Sequence, residues 1–351
     1  MDFLQEFIEE LIMSSLSSFL DPDQRVYFVG IIVSAILTIW VYRGKDLGKN
    51  LRSLFSKRQW WNDSAKLDYK SFLIWKSVIN PFWLPIYGTV QLAIIFAMDH
   101  HLVQAFGRPE TGHWPHWLIY SLFTVSIFLF DDFAYYLVHR CMHRWKPLWE
   151  FHKVHHSATT LNPFSVYRAH PIELLINRCR YLLTVSITSG IFYYFFINNF
   201  DMWKILGVHA LAYIFNVSGA LLRHSSVPLS YPKWIEDWLI SPVQHQLHHS
   251  CEARYWDCNF GVTLALWDKV FGSLEHSPMD YKTNPTNLGV IEEGQLLTQH
   301  GFFANFFMPF YKCFTTLKFR KSGLDKVTPS KQIDRHLKPI PLNQKKLRNK
   351  L

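Results

Sequence analysis

The chain has 351 residues, 49% hydrophobic, 17% aromatic and only 18% charged, against about 25% charged in an average soluble domain. That deficit points to a membrane. The formal charge of +9 calls for no nucleic acid, because it gathers in one loop and the tail, where anionic headgroups are the natural partner.

In chain order, MDFLQEFIEELI opens with acids where a signal peptide carries cations, and reads as an amphipathic interfacial helix. Five nearly uncharged runs, at 26–42, 77–98, 117–138, 181–200 and 205–222, have the length of roughly 17–25 residues that crosses a bilayer as a helix. They predict five spans, or four and a shallow segment; a soluble protein with that many buried helices is the weaker reading. Pro81 and Pro85 kink the second run or mark its start. Residues 302–311, FFANFFMPFY, are too short to span and read as a surface segment, and after about residue 320 a basic, polar stretch with Pro329, Pro339 and Pro341 reads as a flexible tail.

Charge sets the orientation. Residues 43–70 carry eight Lys or Arg against three Asp, whereas residues 1–25 carry six acids against one Arg, so the positive-inside rule places the loop in the cytoplasm. Alternating crossings put 139–180 and everything after about 223 on that side. The cations Lys312, Lys318, Arg320, Lys321, Lys345, Lys346, Arg348 and Lys350 agree. Cys141, Cys179, Cys251, Cys258 and Cys313 then face a reducing compartment, and none forms a CxxC pair, which argues against disulfides and a zinc ribbon.

The expected architecture is an all-α polytopic membrane bundle with a cytoplasmic helical cap. It divides into 1–114 (interfacial helix and first spans), 115–300 (a histidine-bearing membrane domain) and 301–351 (interfacial segment and basic tail). No internal repeat is visible.

Of eighteen histidines, eight fall in three clusters: His139 and His143; His152, His155 and His156; His245, His248 and His249. Spacings of three and four put ring nitrogens on one helix face. Isolated residues such as His113, His276, His336 and the intraspan His209 are ordinary surface or packing positions. So many adjacent imidazoles repel one another when protonated, and metal coordination, which requires the neutral ring, removes that problem. Eight nitrogens exceed the roughly four to six ligands of one ion, so two ions are the natural count. The Glu-x-x-His pattern of ferritin-like proteins is absent. Asp132 and Tyr136 share a helix stripe with His139; Asp132 either holds a ligating ring by its second N–H or marks the end of the span.

The segments DDFAYYLVHRCMH, HKVHHSATTLNPFSVYRAHPIE and HQLHHSCEARYWDCNFGVTLALWDKVFGS resemble the fatty acid hydroxylase/sterol desaturase superfamily of integral-membrane di-iron oxygenases, over roughly residues 115–275. The resemblance implies that His139, His143, His152, His155, His156, His245, His248 and His249 bind two iron ions, with zinc possible in purified protein. His170 in RAHP and His224 in LLRHSSV fit the family's pattern less closely. It implies dioxygen as cosubstrate and a separate donor such as cytochrome b5 or a ferredoxin with its reductase. The substrate would be a membrane lipid (sterol, fatty acyl or ether lipid), hydroxylated, desaturated or cleaved. The setting would be a bacterial inner membrane or endoplasmic reticulum, with the site on the cytoplasmic side. Asn259–Gly261 and Trp267–Gly272 also match and shape the fold beside the site. The rival reading is a histidine-rich metal transporter or sensor, whose sites lie near the bilayer midplane on broken helices rather than beyond span ends; haem needs only one or two axial histidines.

Overall fold

The computed structural model describes residues 13, 16–17, 19–21, 26–44, 47–76, 80–197, 210–283, 285–292, 295–297 and 301–321. The expected helix over 1–12, the tail beyond 321, His209 and His336 lie outside the described residues. Helices dominate. They are α1 (Phe28–Val41), α2 (Leu47–Leu54), α3 (Lys57–Trp60), α4 (Asp63–Ile74), α5 (Asn80–Phe106), α6 (His116–Arg144), α7 (Lys146–His156), α8 (Pro171–Phe196), α9 (Ala210–Val217), α10 (Lys233–Glu236), α11 (Pro242–His248), α12 (Leu266–Val270) and α13 (Phe302–Lys321). The strands β1 (Ile291–Glu292) and β2 (Gln295–Leu296) form one small antiparallel pair.

Two helices among the described residues, α5 over Ile86–Phe106 and α6, are long and apolar enough to cross a membrane. Only 6% and 22% of their most apolar stretches are buried inside the protein, so most of that apolar surface faces outward. These two correspond to the expected runs at 77–98 and 117–138, while the run at 205–222 begins outside the described residues. Helix α1, within the run at 26–42, has 14 residues, and α8, over the run at 181–200, buries the polar Thr184, Ser186, Thr188 and Ser189.

Helix α8 lies beside both α5 and α6. It runs parallel to α5, where Tyr181 stacks on Tyr87 at 6.0 Å and Gly190 lets Met98 approach; an added Cβ there would sit 2.9 Å from the Met98 sulfur. Against α6 it is antiparallel, with Phe123 edge-on to Phe192 at 5.1 Å in a core of Ile119, Phe123, Ile127 and Val185. An ion pair from Arg180 to Asp131, which also accepts from the Thr184 hydroxyl (2.7 Å), ties the same two helices. These contacts orient α6 so that its C-terminal end meets α7.

The short helices gather at that end. The basic loop becomes α2–α4 and packs against residues 159–168: Gln59 donates to the Leu161 carbonyl (2.7 Å), and Asn62 caps α4 and donates to Thr160 (3.0 Å). Fully buried Asp68 and Arg168 close the seam at 2.6 Å, with Asn162 (2.6 Å) and Ser165 (2.7 Å) donating to the second carboxylate oxygen. On the other flank, the surface segment expected at 302–311 is the first half of α13. It covers α7 through Phe310 on Phe151 (5.3 Å), and Lys312 of α13 shares Glu292 of β1 with the buried Lys153 of α7.

Candidate metal centre

Helix α6 presents His139 and His143 one turn apart, α7 presents His152, His155 and His156, and α11 presents His245 and His248 with His249 at its C-cap. Ser241 and Gln244 form a capping box at the start of α11, with Pro242 at its first position, which fixes this short helix. His224 ends a short 3-10 helix over Ala220–His224.

These nine rings fall into two adjoining groups. His139, His143, His152, His156 and His248 form one; His155, His224, His245 and His249 form the other, and within each group the candidate ligand atoms lie within 4.8 Å of one another. The division splits each i, i+3, i+4 motif according to how α7 and α11 face each other. On α7 the i and i+4 positions enter the first group and i+3 the second; on α11 the assignment is reversed. The groups touch where His156 stacks on His249 at 4.5 Å.

Within the groups, Nε2 atoms converge. His139 lies 3.1 Å from His152 and 3.0 Å from His248, and His156 lies 3.1 Å from His152. In the second group His224 lies 3.4 Å from His155 and 3.2 Å from His245, which lies 3.2 Å from His249. For several rings the other nitrogen fixes the tautomer. His139 donates from Nδ1 to the Phe260 carbonyl (2.7 Å), His248 to the Cys258 carbonyl (2.7 Å) and His155 to the Arg168 carbonyl (3.1 Å). A carbonyl only accepts, so Nδ1 carries the proton and Nε2 keeps its lone pair. Lone pairs facing each other at these distances repel, and a shared cation removes the repulsion. Ligands about 2.1 Å from one ion stand ~3.0 Å apart at right angles and ~3.4 Å apart at tetrahedral angles. The donor set therefore fits two imidazole-bound metal ions.

Electrostatics agree. Burial pushes His152 down to about 3 and His155 down to about 4. His156, His245, His248 and His249 lie well below their usual value, through burial first and the neighbouring imidazoles second. All six are neutral at pH 7, the form that binds metal.

The structure brings the eight clustered histidines and His224 together, but it does not bring in His170. His170 is the N-cap of α8: its Nδ1 accepts from the Ile172 amide (3.0 Å) and its Nε2 donates to the Phe306 carbonyl (3.0 Å), so both nitrogens are occupied. Asp132 also departs from the expected role of orienting a ligating ring. It accepts from the amides of Thr263 (3.1 Å) and Leu264 (3.2 Å) and from the Trp267 indole (2.9 Å), fastening α6 to the segment that leads into α12. Tyr136 bonds Ser273 (3.1 Å) and Arg140 (2.6 Å), and its ring packs on Phe260.

The carboxylate that does hold an imidazole is Glu173, in the first turn of α8. It accepts from His152 Nδ1 at 2.9 Å, and burial pushes its carboxyl up to about 8. Sequence reasoning passed over it, although Glu173 closes the RAHPIE stretch and follows a helix-starting proline. The NFG and WDKVFG segments also prove to be a single device. Asp268 accepts from the amides of Phe260 (2.8 Å) and Gly261 (2.7 Å) and from Ser273 (2.6 Å), holding the chain whose carbonyls meet His139 and His248. A side chain at Gly261 would collide with the Leu264 carbonyl.

Residues 124–273 match the fatty acid hydroxylase family. Alkylglycerol monooxygenase of Homo sapiens is 24% identical over 249 residues, covering 71% of this chain and 46% of that protein. Lathosterol oxidase of Mus musculus is 25% identical over 170 residues, covering 48% and 50%, and the ornithine lipid hydroxylase of Rhizobium tropici is 24% identical over 214 residues, covering 60% of each. The chain thus spans about half the length of the first two of these relatives. No solved structure matches.

Proposed function

Because the chain belongs to the fatty acid hydroxylase/sterol desaturase superfamily, we propose that it is a membrane-bound, dioxygen-dependent di-iron oxidoreductase acting on a lipid. The observation that carries this reading is the convergence of nine imidazoles into two touching groups at the end of an apolar helix. Bound there, a pair of iron ions supplies the one-electron steps needed to reduce dioxygen and attack an unactivated C–H bond, chemistry that no side chain performs alone.

The chain's own residues do the rest. His139, His143, His152, His156 and His248 hold one ion, and His155, His224, His245 and His249 the other. Glu173 and the carbonyls of Phe260, Cys258 and Arg168 aim four of those rings. The enclosure of the site excludes bulk water, while the outward apolar faces of α5 and α6 keep a lipid substrate alongside. The basic segment 43–70 packs on the histidine side of the helices, which supports a cytoplasmic site under the positive-inside rule. A separate reductant such as cytochrome b5 or a ferredoxin reaches it there.

Relatives named for an alkylglycerol, a sterol and an ornithine lipid leave the substrate to experiment. Lipid mass spectrometry of cells with and without the gene tests the reading. Gain of one oxygen in a lipid means hydroxylation and loss of two hydrogens means desaturation, whereas an unchanged lipid profile overturns it.

A further inference from the structure

The two histidine groups are not equally supported. In the five-histidine group, three rings have Nδ1 anchored: His139 and His248 on backbone carbonyls at 2.7 Å each, and His152 on Glu173 at 2.9 Å. The His143 ring has Nδ1 3.7 Å from the Asp257 carboxylate, beyond hydrogen-bond reach. In the four-histidine group, His155 is anchored, at the longer distance of 3.1 Å, while Nδ1 of both His245 and His249 is buried without a partner.

The difference has a structural source in the segment 257–260. Asp257 and Asn259 both adopt left-handed backbone conformations, with φ of 58° and 52°. Such conformations cost a non-glycine residue on the order of 1–3 kcal/mol unless the surroundings enforce them. Here they are enforced: the Asn259 side chain donates to the carbonyls of Gln244 (3.0 Å) and Glu275 (3.0 Å) and accepts from the Glu275 amide (2.8 Å). This clasp turns the chain so that the carbonyl before it, on Cys258, reaches His248 and the carbonyl after it, on Phe260, reaches His139. One asparagine therefore aims two rings of the same group and none of the other.

Resting on the dinuclear reading above, we propose that the two metal sites are inequivalent: the five-histidine site is preorganised by the Asn259 clasp and Glu173 and fills first, and the four-histidine site binds more weakly and exchanges its ion. Partners that orient a ligating imidazole are typically worth about 10- to 100-fold in metal affinity. With two rings unanchored, the four-histidine site is expected to bind at least ~10-fold more weakly. Asn259 is a positioning residue that acts through the rings.

The test is a titration of metal-stripped full-length protein in detergent with Co2+ against a competing chelator, read by the ligand-field absorption of the bound ion. Two steps at least tenfold apart are expected. Asn259→Gly keeps the left-handed backbone accessible but removes the clasp; it should weaken the tighter step about tenfold and leave the weaker one in place, whereas His245→Ala should alter only the weaker step. Two ions binding with equal affinity, or Asn259→Gly weakening both steps alike, overturns the inequality while leaving the dinuclear reading intact. The wild-type isotherm decides this whether or not a variant folds. Failure to bind cobalt at all overturns the dinuclear reading itself, and this inference with it.

Discussion

Burial holds the metal-free Glu173 carboxyl up to about 8, so its negative charge develops when a cation binds at His152; replacing Glu173 by glutamine removes that charge and nothing else of size. Its carboxylate accepts the Nδ1 proton of His152 at 2.9 Å in a fully enclosed setting, and its second oxygen has no partner. In Glu173→Gln the amide oxygen can still accept that proton, so the ring keeps its orientation but loses the charge that makes it a stronger base. Loss of such a partner typically weakens metal binding about 10- to 100-fold, or roughly 1.4–2.7 kcal/mol. The expected order is wild type, then Glu173→Gln about tenfold weaker, then Glu173→Ala weaker again, because alanine releases the ring as well. Chelator competition with cobalt or iron measures the three affinities, and circular dichroism checks that the helices persist. Equal affinities in all three proteins would refute the role given to Glu173 and the assignment of His152 Nε2 as a ligand atom.

Other consequences follow from the supports of the site. Asp68→Ala leaves the fully buried Arg168 guanidinium unpaired, which should cost about 3–5 kcal/mol and lower the thermal midpoint sharply. It should also loosen His155, whose Nδ1 rests on the Arg168 carbonyl. Gly261→Ala drives a Cβ into the Leu264 carbonyl and should destabilise by about 1–3 kcal/mol, measured by thermal melting in detergent. Burial pushes Asp268 up to about 6 from 3.8. The folded state therefore holds that proton more tightly than the unfolded chain, and stability is lost as pH rises from about 4 to 6. In metal-free protein the deficit of Asp268→Asn relative to wild type should widen on acidification through that window, by up to about 3 kcal/mol at 1.36 kcal/mol per unit. A constant deficit across the window would show that Asp268 does not titrate there.

The histidine pattern was legible because metal ligation needs several nitrogens within one ion's reach, and spacings of three and four deliver that from any helix. What spacing alone did not convey was the division of each HX2HH motif between two groups, which depends on how α7 and α11 face each other. Residues that hold the ligands were harder to read. His170 looked like a ligand by position, yet a proline at the next residue makes it an N-cap. Asp132 looked like the natural second partner because it shares a stripe with His139, but it points to the loop at 263–267, and the role falls to Glu173 from another helix. Backbone carbonyls, which orient three of the rings, carry no side-chain signature at all. Among the described residues, two of the five expected runs form helices long and apolar enough to cross a membrane, because crossing needs unbroken length as well as the apolar composition that α1 shares.

The most direct measurement is metal content. Full-length protein purified without chelators, and analysed by inductively coupled plasma mass spectrometry alongside His248→Ala and His245→Ala, should carry two transition-metal ions per chain, with each variant losing one. Fewer than two ions in the wild type, or unchanged content in both variants, would contradict a two-ion centre.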